Sequence, residues 1–191
     1  MKEIVGVVAI ILVFVAYVPY IQATRSGKTK PHIYSWFIWG ILSVLVTALQ
    51  FSEGAGFAAY VTLATAILTL SVFLLGLPNG KKDITALDTV FLLTAVIAMV
   101  LWLFAQQPLS AMVLLVGAGV IGLFPTIRKS WHKPHEETLF MWALNSLRHA
   151  LTIGAIMEYN AITLLAPVTW TIVNAYFSLL LLARLRAIAS T

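Results

Sequence analysis

No cysteine occurs among the 191 residues of this chain. Disulfide bonds and thiol-based catalysis are therefore excluded. Charged side chains are also scarce, because Asp, Glu, Lys and Arg make up 10% of the residues while hydrophobic residues make up 61%. Soluble domains carry about 25% charged residues, and the mean hydropathy here is +0.96. The composition excludes an ordinary soluble domain and predicts an integral membrane protein.

Acidic residues are missing from the middle of every long apolar run. A membrane-spanning helix needs about 20 mostly apolar residues, and the chain has seven such runs. None of them alternates with the period of two that is typical of a barrel strand. We therefore predict an all-α integral membrane protein with seven transmembrane helices. Predicted spans 1 to 7 cover about residues 4–23, 33–52, 55–76, 86–105, 109–127, 137–157 and 160–183.

Recognisable enzyme motifs are missing as well. The sequence shows no evident catalytic triad, phosphate-binding loop or zinc signature. Four residues close to the predicted cytoplasmic surface have side chains that can bind a metal: His32, His132, His135 and Glu136. Their spacing is not specific, and we interpret them as solvated loop residues. We expect no enzymatic activity, no catalytic residue, no metal and no cofactor.

Basic residues occur in alternate loops, and the loops between them contain no Lys or Arg. By the positive-inside rule, this pattern predicts an amino terminus outside and a cytoplasmic carboxy terminus. The net charge of +5 then reflects membrane orientation rather than nucleic-acid binding. The expected partners are the lipid bilayer and a small-molecule solute, and a homo-oligomer is compatible with this interpretation. The loop residues are Arg25, Lys28, Lys30, Lys81, Lys82, Arg128, Lys129, Lys133, Arg184 and Arg186.

The segment KPHIYSW at residues 30–36 is echoed by KPHEETL at 133–139. In the same register Trp39 aligns with Trp142, and the order of matches holds through three spans on each side. We infer a duplicated three-helix unit. A single helix between the copies returns the second to the orientation of the first, so the repeats are parallel. The predicted units are residues 1–76, a linker at 77–108, and residues 109–191.

Three local patterns predict where helices begin. Pro31 and Pro134 suit the first turns of spans 2 and 6, where a missing backbone donor costs little. Glu136 and Glu137 favour the amino terminus of span 6. Thr85 and Asp88 have the spacing of a capping box at the start of span 4.

Each copy of the repeat ends its first span with a proline motif, Pro19-Tyr20-Ile21 or Pro125-Thr126-Ile127, followed by a basic loop. Together with the three-plus-one-plus-three order, this pattern resembles the PQ-loop and SWEET superfamily across essentially the whole chain. The resemblance implies alternating access around a central site, with Pro19 and Pro125 as hinges. The strings FPTIRKSWHKPHEET and KKDITALD resemble a group of small bacterial membrane proteins, which implies a bacterial inner membrane.

The chain departs from the superfamily pattern at several positions. Tyr20 and Thr126 stand where the family has Gln after the proline. Sugar carriers of the family place an Asn in both the third and the seventh helix. Here span 7 has Asn174, but span 3 has Ile67 at the aligned position. The resemblance therefore does not extend to sugar as the substrate.

Arg148 lies about eleven residues into span 6, or roughly 16 Å along a helix axis, close to the bilayer centre. An arginine at that depth costs about 2.5 to 3.5 kcal/mol and normally faces protein or a water-filled cavity. No carboxylate lies at the same depth. Two interpretations follow: amides, hydroxyls and carbonyls satisfy Arg148, or it anchors an anionic group of a ligand.

Two polar and aromatic stripes accompany Arg148. The spacing of three and four residues places one stripe on span 6 and another on span 7. Such stripes can enclose a small polar ligand, whereas the alternative is helix packing through buried amides at about 0.6 kcal/mol each. His149 either couples proton movement or stays neutral beside Arg148. The predicted site residues are Arg148, Asn145, His149, Asn174, Trp142 and Trp170, with Trp39 and Ser43 from span 2.

Polarity is concentrated in the second copy, because Leu45 and Ile67 occupy the places of Arg148 and Asn174. Span 2 still offers Trp36, Trp39, Ser43 and Gln50, and span 3 offers Tyr60, Thr62, Thr65 and Thr69. We expect a facilitator or proton-linked carrier of a small polar solute, with a carboxylate-bearing compound preferred over a sugar. The alternative is a ligand-sensing or cargo-binding membrane receptor of the same fold without transport.

Overall fold

The computed structural model describes residues 1–80, 84–104 and 107–189, and the regular secondary structure in those ranges is helical. A 3₁₀ turn at Pro134–Glu136 lies between two of the helices. The helices are α1 (Lys2–Arg25), α2 (Ile33–Ser52), α3 (Phe57–Gly80), α4 (Ala86–Phe104), α5 (Pro108–Ile121), α6 (Phe124–His132), α7 (Leu139–Ala155) and α8 (Ala161–Ala189).

Five helical segments in the described ranges are long and apolar enough to cross a membrane: α1, α2, α3, the pair α5 and α6, and α8. Helix α4 is apolar over the shorter stretch Ala86–Ile97. Large apolar side chains such as Ile67 and Ile172, exposed by 58% and 64%, cover the outside of the bundle. An exposed apolar surface of this kind suits lipid contact. The prediction of an all-α membrane protein is confirmed at this level.

The most extensive helix contacts are those of α2 with α3, α7 with α8, and α1 with α7. Helix α1 lies between α3 and α7, while α5 lies between α2 and α8. Helix α4 packs on α5 at the edge of the bundle. The main core cluster includes Tyr17, Tyr20, Trp36, Trp142 and Phe177.

The loops at 26–32 and 133–138 contact each other at one end of the bundle. There the backbone N–H of Lys30 donates to the carbonyl of Glu136 at 3.1 Å. We call this end of the bundle the basic end.

The two motif prolines sit in different surroundings. Helix α1 continues through Pro19 without interruption. Helix α5 instead ends at Ile121, and Pro125 lies in the first turn of α6, where its missing backbone donor costs little. Predicted span 5 is therefore two helices in the structure, while the role of Pro19 and Pro125 as hinges stays a prediction.

The expected helix starts are partly wrong. Helix α2 begins at Ile33 and α7 at Leu139, so neither Pro31 nor Pro134 lies in their first turns. Glu137 has an extended backbone, with φ −121° and ψ 158°, which delays the start of α7. The capping box is confirmed: the Thr85 N–H donates to Asp88 Oδ2 at 2.8 Å, and the Asp88 N–H donates to Thr85 Oγ1 at 3.3 Å.

Candidate functional site

A cavity of about 80 Å³ lies among α1, α2, α3, α5, α7 and α8. About 10 to 15 Å³ of such space holds one water molecule, so the cavity has room for several waters or a small solute. The structure brings all the predicted site residues together on its wall. They are Arg148, Asn145, His149, Asn174, Trp142, Trp170, Trp39 and Ser43.

Arg148 is 1% exposed and lines this cavity. Its Nε donates to Asn145 Oδ1 at 3.0 Å, and its Nη2 donates to His149 Nε2 at 2.7 Å. Asn145 lies one helical turn before Arg148, which explains why the two side chains meet. A guanidinium has five N–H donors, and Nη1 makes no hydrogen bond within the part of the chain that the structure describes. Neighbours thus orient Arg148 but leave donors free.

His149 serves as a hydrogen-bond acceptor for Arg148. A guanidinium nitrogen can only donate, so His149 Nε2 carries no proton in this geometry and the proton of the neutral ring lies on Nδ1. The ring also stacks on Trp170, with centroids 6.4 Å apart and planes 25° apart. This geometry favours the neutral histidine of the two roles weighed from the sequence.

Asn174 and Trp170 face the cavity from α8. Asn174 Nδ2 donates to the Trp170 carbonyl one turn earlier at 2.6 Å. This bond lies within α8, so it does not join Asn174 to another helix. Asn174 also lines the cavity, and its role in ligand binding stays a prediction.

Four tryptophans form much of the cavity wall. Trp39 contacts the other three edge-to-face. Its ring centroid lies 5.6 Å from that of Trp36, 5.7 Å from that of Trp142 and 6.1 Å from that of Trp170. The Trp39 indole N–H donates to the Gly119 carbonyl of α5 at 2.9 Å. Edge-to-face pairs add about 0.5 to 1.5 kcal/mol each beyond area burial. The wall is therefore fixed from α2, α5, α7 and α8 together.

The first repeat unit contributes uncharged polar side chains to the cavity wall. Gln50, Thr62, Thr65 and Thr69 line the cavity as the sequence predicted, together with Trp36. Tyr60 does not, because it is 51% exposed and packs against Phe51 with centroids 5.0 Å apart. Its position on the lipid-facing side of α3 explains the error, since helical spacing alone did not separate that side from the inner one.

Two contributors were missed from the sequence. Tyr17 lines the cavity from α1, and its hydroxyl is 3.0 Å from Thr69 Oγ1. Glu137 lies below the cavity at the basic end, where it is only 6% exposed and accepts a hydrogen bond from the Trp142 indole at 3.3 Å. Tyr17 has the helical spacing of the other inward residues of α1, whereas the position of Glu137 at the predicted start of span 6 indicated only a favourable charge at a helix amino terminus.

His32 also differs from its expected solvated state. It is 1% exposed, and its Nε2 lies 3.4 Å from Asp88 Oδ2, a contact without hydrogen-bond geometry. Burial lowers the pKa of His32, while the nearby Asp88 carboxylate partly opposes that shift. Arg128 binds the same carboxylate at 2.6 Å. Because the charge of Asp88 is already balanced by Arg128, the structure favours a neutral His32 at this contact.

The cavity thus combines a buried cation, neutral acceptors and aromatic walls. Arg148 supplies directed N–H donors, and the surrounding amides and hydroxyls supply weaker hydrogen bonds. This set of groups can bind a small molecule that carries an anionic group. Comparison of the chain with protein-family models, curated proteins and solved structures finds no match.

Proposed function

We propose that the protein is a membrane carrier for a small, polar, carboxylate-bearing solute. In this proposal seven helical segments span a bacterial inner membrane as two parallel three-helix units joined by α4. The amino terminus lies outside and the carboxy terminus in the cytoplasm. The single observation that carries the proposal is the buried guanidinium of Arg148, which faces the cavity with donors that neighbouring side chains do not use.

Charge balance supports an anionic ligand. The ion pairs of the described ranges are Lys30–Glu136, Arg128–Asp88 and Lys129–Glu137, and a fourth contact, His32 with Asp88, involves a histidine for which the structure favours the neutral form. None of them includes Arg148. A buried charge without a counter-charge is costly. The planar guanidinium of Arg148 can bind a carboxylate through two parallel hydrogen bonds. A carboxylate in the cavity would therefore complete the site.

Helix packing supports movement of two units. In the proposed repeat, α1 corresponds to α5 with α6, and α7 corresponds to α2. The contact of α1 with α7 is then equivalent to the contact of α5 with α2, as a two-fold axis along the membrane normal requires. The cavity lies between these two contacts. The resemblance to PQ-loop and SWEET proteins agrees with alternating access in such an arrangement.

Uptake into proteoliposomes tests the proposal. A panel of radiolabelled amino and organic acids, with sugars as comparison, is offered to vesicles containing the purified protein. We expect saturable flux of a carboxylate-bearing compound that is reduced at least about tenfold in Arg148→Gln, because a charge-assisted pair is lost. Arg184→Gln is the matched control, since Arg184 lies at the end of α8 and donates to the Trp131 carbonyl at 3.0 Å.

One result would contradict the carrier proposal, and another would contradict the role of Arg148 in it. Saturable binding of a panel compound without any flux would favour the receptor alternative instead. Equal flux in Arg148→Gln and in the unchanged protein would remove Arg148 from the site. Asn174→Ala gives an independent check of the site. We expect it to reduce flux as well, because it removes an amide that lines the cavity.

A further inference from the structure

Hydrogen bonds at the basic end join the two halves of the protein, which are the proposed repeat units at residues 1–76 and 109–191. The Tyr20 hydroxyl of α1 donates to Glu137 Oε2 at 3.0 Å, and the Thr126 hydroxyl of α6 donates to Ser35 Oγ at 2.9 Å. Tyr20 and Thr126 follow the two motif prolines and occupy equivalent positions in the repeat. Each half therefore uses the same position to hold the other half.

Glu137 is the centre of this contact. Its Oε1 accepts a hydrogen bond from Lys129 Nζ at 2.8 Å, and Lys129 also donates to the carbonyl of Lys30. Lys129 and Glu137 are only 3% and 6% exposed. The carboxylate and its lysine belong to the second half, while Tyr20 and the Lys30 carbonyl belong to the first.

This division of partners makes the contact reversible. Separation of the halves would leave the Lys129–Glu137 pair intact, because both charges move together. Among the hydrogen bonds made by this ion pair, only those to Tyr20 and to the Lys30 carbonyl would break, and these involve neutral groups of the first half. Breaking a buried ion pair by removing one partner is far more costly. The arrangement therefore avoids an unpaired buried charge when the basic end opens.

Glu137 also contacts the cavity wall. Its Oε2 accepts the indole N–H of Trp142 at 3.3 Å in addition to the Tyr20 hydroxyl. Trp142 lines the cavity and packs edge-to-face against Phe177, with centroids 4.5 Å apart. One carboxylate oxygen thus joins a cavity residue to the contact between the halves.

We propose that Glu137 is a positioning residue that couples the cavity to closure of the basic end, a role that rests on the proposed carrier function. A ligand that displaces the Trp142 ring changes the hydrogen bonding of Glu137 Oε2, which also holds Tyr20. Opening of the basic end in turn frees Glu137 from Tyr20 and lets Trp142 move. Ligand occupancy and closure therefore influence each other through one side chain.

Cysteine accessibility tests this role without measuring transport. Because the chain has no cysteine, Ser43→Cys on the cavity wall is labelled as the sole thiol. Labelling with a membrane-impermeant maleimide is followed in sealed vesicles, and Lys28→Cys in separate vesicles shows which face carries the basic end. In the Ser43→Cys background we expect Tyr20→Phe to raise labelling from the basic end by about tenfold, because a hydrogen bond to a charged group is lost. We expect a rise at least as large in Glu137→Gln, because Tyr20 then faces a neutral amide and Lys129 loses its counter-charge.

Glu136→Gln is the matched control, since Glu136 pairs with Lys30 across the halves at 2.6 Å but the Lys30 side chain is 41% exposed. Exposed pairs contribute little, so we expect a change below about twofold. Unchanged labelling in Tyr20→Phe, which loses only one oxygen and keeps its ring packing, would overturn the proposal even if Glu137→Gln failed to fold. So would an equal rise in Glu136→Gln. Solute flux with unaltered labelling would reject the coupling but leave the carrier function standing.

Discussion

At the scale of single residues, the contacts of Arg148 bear on both roles weighed from the sequence. Asn145 and His149 hold its Nε and Nη2, so part of the guanidinium is satisfied within the protein. Arg148 lines the cavity, and its Nη1 makes no hydrogen bond within the described ranges. A fixed guanidinium binds a carboxylate at a lower entropic cost than a free one, because less side-chain freedom is lost on binding. Structural anchoring of Arg148 therefore favours its proposed role in ligand binding.

Replacement of Arg148 by lysine separates charge from geometry. We expect Arg148→Lys to weaken binding of the transported carboxylate by at least about tenfold, because an ammonium group lacks the planar bidentate fork. Asn145 would also lose its Nε donor. Isothermal titration with the best substrate from the uptake panel measures the effect. Lys133→Arg at the basic end is the control for a Lys–Arg exchange outside the cavity, and equal affinity in Arg148→Lys would show that charge alone is sufficient.

Buried His32 gives a prediction for pH. Burial lowers its folded-state pKa below the unfolded value of about 6.5. The unfolded chain then binds more protons between the two pKa values, so the contribution of His32 to stability is complete above about pH 6.5 and is lost as pH falls through the folded pKa. Thermal unfolding in detergent at about pH 7.5 and about pH 5.5 measures this loss.

A comparison of variants assigns that loss to His32. We expect His32→Gln to show a smaller decrease in Tm between the two pH values than the unchanged protein. His132→Gln serves as the control, because His132 lies at the exposed end of α6. A decrease of the same size in all three proteins would place the pH dependence on other groups.

The sequence predicted polar residues in the apolar helices better than polar residues in the loops. Arg148 and Asn174 are conspicuous because lipid excludes such groups unless they face the interior. Glu137 is buried as Arg148 and Asn174 are, but a carboxylate in a segment between two helices is usually solvated. Its burial depends on Tyr20 and Lys129, which come from elements that only the folded chain brings together.

At the scale of helices, close packing explains a requirement for glycine in α5. A Cβ atom at Gly119 would lie 2.8 Å from Trp170 Cζ2, whereas a Cβ at Gly117 would meet nothing within 4 Å. Gly119 also accepts the Trp39 indole hydrogen bond through its carbonyl. The small residue thus allows α5 to approach the aromatic wall of the cavity.

The two glycines give a matched pair of variants. We expect Gly119→Ala to lower the free energy of unfolding by about 1 to 3 kcal/mol, because the added methyl group forces Trp170 to shift. Gly117→Ala adds the same methyl group two residues earlier without a clash, so its stability should be equal or slightly higher. Denaturation in mixed micelles measures both. Equal destabilisation of the two variants would show that the space around Trp170 adapts.

The limits of the helices were predictable only where composition changes. The end of α2 at Ser52 follows the loss of apolar residues, and the start of α8 at Ala161 follows the loop around Asn160. The interruption between α5 and α6 was not predictable, because the apolar run continues through Gly122 and Leu123. Pro31 also failed as a helix-start signal, since it packs close to Gly76 of α3 rather than joining α2.

At the scale of the whole molecule, the repeat predicted which parts correspond but not how they touch. Residues 30–36 and 133–139 matched in sequence, and in the structure these segments contact each other at the basic end. Duplication alone does not specify this contact, because parallel repeats can pack through several faces. The contact arises from exchanged partners such as Tyr20 with Glu137, which are not equivalent residues in the two copies.

A disulfide across the basic end tests movement of the two halves. The Thr29 and Thr138 hydroxyl oxygens are 2.8 Å apart and belong to different halves, which suits an S–S bond of about 2.05 Å after substitution of both by cysteine. In a chain without other cysteines, oxidation of Thr29→Cys with Thr138→Cys forms a defined crosslink. We expect it to hold the basic end closed and to reduce flux in proteoliposomes by more than about tenfold, because alternating access requires both ends to open.

Reduction of the same sample provides the most direct control, since dithiothreitol should restore flux without any change in composition. Each single-cysteine variant should transport equally well before and after oxidation. The crosslinked protein should still bind ligand if the cavity is reached from the end opposite the basic end. Full flux through a quantitatively crosslinked protein would show that the two halves do not separate at the basic end, and it would replace alternating access with a path that leaves Thr29 and Thr138 in contact.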